Sequence, residues 1–529
     1  MARKRDLFVI EAPGKIARLT ALLASLSPDA KVIATSGHIR AFPDDPKVLG
    51  ITPDGETPGR NYKPGTREKL LSAFSAPDIG RIVIATDDDD EGDVIAWDVA
   101  NLAEASQLPV LRMRLGAITI ESVRAALREL RPVTPQDAAS GMTRVMLDRA
   151  LGIGLSAPTH GVGRVLTPML ELAARGEFER HPVDLVCPSE RQGMPFVGRL
   201  WLSETEKERL SKALRDKDPP TFPDDPEPAR PPLLGTGELM LRIAEETWRD
   251  VPLVERMLQA LYEEGRISYC RAYGAPIPRS AVAVLARSAG WPSLPKEEEQ
   301  APSGRRTHPA PHLLEPIPLG VDPARLSGDQ ATLVSLGRAQ AEATLQDWRS
   351  PRKGPLEEWL ARMGVIRQGD GTRVSMLRPV GRLLPWLRKR VPGMHPVDMP
   401  VSARILRGLL AFGLGRPSTY ASHVDGLLDR GLVDWRGGVT EKAMRWLNAA
   451  PDTLRDPALS QRLEELCRVP VAGEEASTEP WRLRFAEVMR QVPEEPRRQA
   501  LAAMEAHGRD ARSGELEGAD ATAVLRGRS

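Results

Sequence analysis

Residues 81–97 constrain the fold of this chain more than any other stretch. Arg81-Ile-Val-Ile-Ala-Thr86 is an apolar run of strand length, and Asp87-Asp-Asp-Asp-Glu91 follows it directly. Gly92 then leads into the mostly apolar Val94-Ile-Ala-Trp97. The pattern predicts a buried strand of a parallel sheet, an acidic turn and a helix. Such sheets bind their ligands at the carboxyl ends of the strands. Adjacent carboxylates repel one another, so the run predicts a divalent cation. In an extended chain Asp87, Asp89 and Glu91 point to one side, a hard-oxygen set suited to Mg²⁺. The alternative, on charge patterning alone, is a solvated acidic turn.

A second unit of the same kind opens the chain. Asp6-Leu-Phe-Val-Ile10 reads as a strand with Glu11 at its carboxyl end. Ala12-Pro-Gly14 turns, Lys15 follows, and Ile16, Leu19, Leu22, Leu23 and Leu26 have helical spacing. Both units fall within about 130 residues, the size of one domain. Parallel strands would bring Glu11 and Lys15 to the edge that carries the acidic run.

Composition narrows the class. A length of 529 residues predicts about three to five domains. The net charge of +1 leaves nucleic-acid binding to local patches such as Arg3-Lys-Arg5 and Arg388-Lys-Arg390, each of which could equally be a solvated face. No apolar run reaches the roughly 18 residues of a membrane span, and Met-Ala-Arg-Lys-Arg-Asp lacks a signal peptide's apolar region. The expected location is therefore the cytoplasm. Cys187, Cys270 and Cys467 are far apart, fit a reducing compartment and cannot form a four-cysteine zinc site. Proline- and acid-rich stretches at 216–233 and 296–304 read as linkers or domain crossings.

The chain has only five tyrosines. Tyr262 lies on the apolar stripe Val254, Met257, Leu258, Leu261 and belongs to the core. Tyr269 lies beyond that helix in Ile267-Ser-Tyr-Cys-Arg271, where an extended backbone would turn Tyr269 and Arg271 the same way. A phenol with a pKa near 10 is a poor nucleophile at neutral pH without a nearby cation. Arg271 supplies one and can bind a phosphate oxygen. The bland alternative is an ordinary half-buried tyrosine. Leu261-Tyr-Glu-Glu-Gly-Arg-Ile-Ser-Tyr269 also resembles Leu427-Leu-Asp-Arg-Gly-Leu-Val-Asp-Trp435: a helix ends at a glycine and a short β-like run follows, as in winged-helix modules.

Glu11 with Asp87, Asp89 and Glu91 resembles the TOPRIM pattern of topoisomerases and bacterial-type primases. Val9-Ile-Glu-Ala-Pro-Gly-Lys15, Ser36-Gly-His-Ile-Arg40, the Tyr269 segment and Gly413-Leu-Gly-Arg-Pro-Ser-Thr-Tyr-Ala-Ser422 resemble type IA DNA topoisomerases in particular, in the family's order. The resemblance implies a multidomain α/β plus α+β toroid around a Rossmann-like parallel sheet. Its expected parts are a TOPRIM domain at 1–131, a base domain at 132–182 and 400–455, and an arch or hinge at 183–232 and 318–399. A winged-helix-like domain at 233–317 carries the nucleophile, and a charged helical tail occupies 456–529 with no zinc-binding module. The implied catalytic residues are Tyr269, Arg271, Glu11 and Lys15, and the implied Mg²⁺ ligands are Glu11, Asp87, Asp89 and Glu91. His38, Arg144, Asp148, Arg164, His308, Arg416, Ser418 and Thr419 would contact DNA. The implied activity is ATP-independent relaxation of negatively supercoiled DNA by a nucleoid-associated monomer acting on single-stranded segments. The alternatives are a catalytically weak DNA-binding paralogue and, further off, a primase or TOPRIM nuclease, which would carry neither Tyr269 nor the Arg416 motif. The family usually has arginine where this chain has Asp90, histidine at Asp98, Thr-Asp-Ser at Ala272-Tyr-Gly274, glutamine at Leu166 and Asn-Glu at Gly116-Ala117.

Overall fold

The computed structural model describes residues 4–43, 48–188, 195–221, 234–274, 277–289, 309–315, 320–344, 353–379 and 393–507. They form two compact units. The first holds Met1–Glu171, Glu263–Gly265 and the described residues from Met444 on; the second holds Leu172–Tyr262 and Arg266–Ala443. The breaks at 171/172 and 443/444 group 132–171 with the TOPRIM-like segment and 400–443 with the second unit.

The first unit is built on a four-stranded parallel sheet in the order Lys31–Ala34, Arg5–Ile10, Ile79–Ile84, Val110–Arg112. Alternation divides each central strand between two cores. Leu7, Val9, Ile82 and Ile84 pack under the helices Thr66–Phe74 and Asp90–Ala103 with Leu70, Phe74, Ile95 and Val99. Phe8, Ile10 and Val83 face Leu19, Leu23 and Val123 of the helices Ile16–Leu23 and Ile120–Arg128. Covered on both faces, the strands need the continuous apolar runs they have. From Arg5–Ile10 the chain adds a strand on one side and later Ile79–Ile84 on the other. The gap between these two strands is thus a topological switch point, where open α/β sheets bind ligands. Glu11 and Asp87 follow the strands that border it.

The helix Pro135–Leu155 starts from a Thr134–Asp137 capping box. It approaches the helix Asp90–Ala103 so closely that a Cβ on Gly141 would lie 2.3 Å from the Asp90 carbonyl oxygen. Its apolar face, Met142, Met146 and Leu151, shares a core with Phe485, Val488 and Met504 of the helices Pro480–Gln491 and Glu494–His507. Through His507, then, the charged C-terminal segment is part of this core, not a loose tail. Most of its charges lie on the outer faces of amphipathic helices, which hides the apolar stripe in a simple composition count, while Arg484 and Glu474 are buried as a pair.

The second unit contains an antiparallel sheet in the order Gly393–Pro396, His181–Cys187, Phe196–Leu202, Val374–Pro379. The helix Thr236–Thr247 packs on Gly328–Thr344 and Val401–Ala411. The internal echo has a structural counterpart. Gly265 (φ +72°) and Gly431 (φ +62°) follow the helices Val251–Glu263 and Tyr420–Asp429, and Ile267 and Val433 then make single β-bridges.

One carboxyl in this unit is held against its chemistry. Both oxygens of Glu246 are buried and lack hydrogen bonds among the described residues. Burial pushes its pKa up to about 7; Arg242 opposes the shift, and Glu342 and Glu245 add to it. The unfolded value is near 4.3, so the folded state retains a proton that the unfolded chain has lost. Stability should therefore fall as pH rises from about 4 to about 7. Glu246→Gln should remove that slope and stabilise the protein by roughly 3 kcal/mol at pH 8, seen by comparing melting temperatures at pH 5 and pH 8.

Candidate active site

The strand Ile79–Ile84 delivers the acidic run, but the extended backbone ends sooner than its sequence suggests. Asp89 (φ −137°, ψ 179°) is the N-cap of the helix Asp90–Ala103, its carboxylate accepting from the Gly92 N–H at 2.8 Å. Glu91 therefore sits on a helical turn. The expected one-sided row of Asp87, Asp89 and Glu91 does not form, because helical and extended residues project with different periods. Gly92 is required by proximity, since a Cβ there would lie 2.0 Å from the Asp87 carbonyl oxygen. Acidic residues in this first turn also suit the helix dipole.

The repulsion within the run is balanced by the protein itself. Lys15 pairs with Asp87, and both side chains are buried. Arg114 pairs with Asp88 and, at 2.9 Å, with Asp93. Arg144 pairs with Asp90 at 2.5 Å. Beneath them the buried Arg112 donates to the carbonyl oxygens of Thr86 and Asp87, each at 2.8 Å, and so fixes the turn from below. Burial, with Arg114 nearby, lowers its pKa to about 10. Among the described residues no three Asp, Glu, His or Cys side chains are gathered as a metal site would need. With Asp87 on Lys15 and Asp89 on the helix cap, this arrangement does not fit a three-carboxylate Mg²⁺ site.

The two acidic departures from the family pattern each have an arginine. Asp98 is 1 % exposed and takes both Arg60 Nη atoms, at 2.6 and 2.5 Å. His38 is near this pair; burial and then Arg60 lower its pKa, with Glu91 and Asp98 opposing. Asp90 belongs to a wider network, for Arg144 also reaches Glu464 at 3.1 Å, and Glu464 takes Arg164 at 3.0 Å. Arg164 in turn holds Asp148 at 2.7 Å. The structure thus brings Arg144, Asp148 and Arg164 together, but with both arginines buried on carboxylates instead of open to a phosphate. Sequence reasoning missed Arg60, Arg112, Arg114 and Glu464. The one available signal was two arginines at alternate positions in the strand-like Val110-Leu-Arg-Met-Arg-Leu115.

The remaining candidates are in the second unit. Tyr269 and Arg271 do not lie on a strand; the segment is irregular apart from the bridge Ile267–Leu313. Alternation therefore says nothing about how the two side chains point. The segment is pinned on both sides of Tyr269. The Ser268 N–H donates to the His312 carbonyl at 3.0 Å, and the Ser268 hydroxyl accepts from the His312 N–H at 3.1 Å. On the other side the Thr236 N–H donates to the Ala272 carbonyl at 2.8 Å, and the Ala272 N–H donates to the Thr236 hydroxyl at 2.7 Å. Tyr269 is 2 % exposed, with its ring edge-on to Tyr262 at 5.3 Å. Arg271 lies 3.5 Å from Glu255. The Arg416 motif forms a tight turn in which the Thr419 hydroxyl accepts from the Arg416 N–H at 3.1 Å, with Ser418 half-buried between them. Tyr420 packs against Gly237, as a structural residue would. His308 lies outside the described residues.

Residues 6–118 match the Toprim domain family. DNA topoisomerase 1 of Zymomonas mobilis is 24 % identical over 81 % of this chain and 40 % of its own length. The plasmid DNA topoisomerase I of Xylella fastidiosa is 26 % identical over 81 % of the chain and 73 % of its own length. The Escherichia coli DNA topoisomerase 1 is 23 % identical over 81 % and 59 %. Over about four fifths of its length the chain is thus similar to bacterial DNA topoisomerases 1. The solved full-length topoisomerase I of Thermotoga maritima shares the fold, with a TM-score of 0.56 at 18 % identity over 92 % of this chain and 90 % of that one. Against the Zymomonas and Escherichia relatives this chain spans only about half the length. Among the described residues no helix is long and apolar enough to cross a membrane.

Proposed function

We propose that the chain is an ATP-independent type IA DNA topoisomerase that relaxes negatively supercoiled DNA in the cytoplasm, at the nucleoid, as a monomer. The observation that carries the reading is the pairing of Lys15 with Asp87, beside Glu11, at the switch point of a Toprim sheet, in a chain that also holds Tyr269 two residues before Arg271. The Tyr269 hydroxyl gives up its proton to water and its oxygen attacks a phosphodiester phosphorus of a single-stranded segment, forming a 5′-phosphotyrosine bond as the bond to the 3′ oxygen breaks; religation returns a proton from water to the departing phenolate. Glu11 protonates the departing 3′ oxygen and, in the reverse step, takes the proton from the 3′-hydroxyl as it attacks the phosphotyrosine. Lys15 and Arg271 stabilise the charge on the pentacovalent phosphate. Apart from water, every group in this step comes from the chain. The phosphotyrosine link retains the phosphodiester's energy, so religation after strand passage needs no ATP. His38, Arg416, Ser418 and Thr419 are the proposed phosphate contacts. Magnesium, which the resemblance implies, would have to displace Lys15 from Asp87 before Asp87, Asp89 and Glu91 could share it.

The buried state of Tyr269 favours a second reading, a DNA-binding paralogue that does not cleave. Incubating the protein with a labelled single-stranded oligonucleotide and quenching with detergent separates the two. The topoisomerase reading expects a covalent protein–DNA band and a relaxed plasmid in the parallel assay. Neither product would leave the paralogue.

A further inference from the structure

Trp435 is the most exposed large apolar side chain among the described residues, at 73 %. A single exposed apolar residue normally needs no explanation; the way this one is mounted does. It sits at the tip of the turn Asp434–Gly438, beyond the helix Tyr420–Asp429, and four sets of contacts hold that turn rigid. The Asp434 carboxylate accepts from the N–H groups of Arg436 and Gly438, both at 2.8 Å. The Asp434 N–H donates to the Gly438 carbonyl at 2.9 Å, and the Gly437 N–H donates to the Asp434 carbonyl at 3.0 Å. Gly437, at φ +90°, approaches the chain so closely that a Cβ would lie 2.2 Å from the Phe178 carbonyl oxygen. Arg404 ties the turn to the same place, donating to the carbonyls of Phe178 and Arg436 at 3.0 Å each.

The Arg436 guanidinium stacks on the indole, 4.5 Å from its centroid, and has no carboxylate partner among the described residues. The Asp434 charge is meanwhile taken up by backbone N–H groups. An indole face open to solvent, with an unpaired cation fixed beside it, is the arrangement that recognises a base and its phosphate. Rigid mounting lowers the entropy lost on binding. The helix between the Arg416 turn and this tip has ten residues, about 15 Å at the α-helical rise.

We infer that Trp435 and Arg436 form a stacking platform for single-stranded DNA, with a base on the indole and the adjoining phosphate on the guanidinium. The inference rests on the proposed function and adds a contact outside the cleavage chemistry. Its test uses the full chain carrying Tyr269→Phe, so that no strand is cut, and a fluorescein-labelled single-stranded oligonucleotide read by anisotropy. Trp435→Ala should weaken binding about tenfold and Trp435→Phe by no more than about twofold. Trp435→Leu should behave like alanine, because it keeps apolar bulk without a π face. Arg436→Ala should also weaken binding, with a loss that shrinks as salt is raised. The exposed position predicts unchanged melting temperatures. Alanine binding as tightly as the parent, or leucine replacing tryptophan as well as phenylalanine does, overturns the platform. Trp435-dependent binding by a wild-type chain that forms no phosphotyrosine overturns the topoisomerase reading and leaves the platform standing. Adduct formation with Trp435-independent binding does the reverse.

Discussion

Replacing Tyr269 with phenylalanine is expected to abolish both the covalent DNA adduct and plasmid relaxation while leaving the protein folded. The change removes one hydroxyl and keeps the ring that packs edge-on against Tyr262. Such aromatic pairs contribute about 0.5–1.5 kcal/mol beyond their buried area, and phenylalanine retains the ring that provides it. The segment itself is held by Ser268, His312 and Thr236, none of which depends on the phenol. Loss of product with an unchanged melting curve therefore points to chemistry and not to folding. If the phenylalanine variant relaxed plasmid as well as wild type, the nucleophile would have to be sought elsewhere. That outcome would leave the Toprim match untouched, because it rests on residues 6–118.

A second large effect is expected at Asp98. Its carboxylate and the Arg60 guanidinium are both almost fully buried and joined by two hydrogen bonds. Removing one partner of such a pair strands a charge in the interior, which typically costs about 3–5 kcal/mol. Asp98→Ala should accordingly lower the melting transition of the first unit by roughly 10 °C. Asp98→His, the residue the resemblance implies there, should do comparable harm, since an imidazole cannot neutralise Arg60. The double change Arg60→Met with Asp98→Leu should recover most of the loss, because a buried ion pair is often replaceable by apolar groups of similar volume. Thermal unfolding of the two single variants and the double variant checks this. Equal melting temperatures for wild type and Asp98→Ala would show that the pair contributes little.

Asp90 and Asp98 mean something different in the folded chain than in the sequence alone. There, Asp90 and Asp98 look like lost cations beside DNA and a reason to expect weak activity. In the structure each acid sits on an arginine, Arg144 or Arg60, so the departure is compensated by charge. Compensation of this kind preserves the fold. It also commits Arg144, and through Glu464 also Arg164, to internal partners.

Much of the first unit was legible locally. Apolar runs of strand length, the glycine turns and the helical spacing after Lys15 and Gly92 gave a parallel sheet with its acids at the carboxyl ends. Those signals span a few residues each, and backbone geometry converts them directly into elements. The same logic failed five residues past the strand: Asp89 caps a helix, and a cap is a competition between extended and helical backbone that an acidic string does not resolve. It also failed at Tyr269, where β-like composition folds into an irregular segment because partners distant in sequence, Thr236 and His312, take its backbone hydrogen bonds.

The sequence by itself determined the chemical inventory: an acidic run at a strand end, Glu11 and Lys15 after another strand, and a tyrosine two residues before an arginine. Only the tertiary structure decided which charge meets which. It set the central strands side by side at a switch point, placed Lys15 on Asp87 across 72 positions and joined Arg144 to Glu464 across 320. The physical reason is range. Local spacing fixes backbone periodicity, whereas ion-pair partners depend on how whole helices and strands pack. The acidic run accordingly reads as a bare cation site in sequence, and in the folded chain its charge is met by the protein's own lysine and arginines.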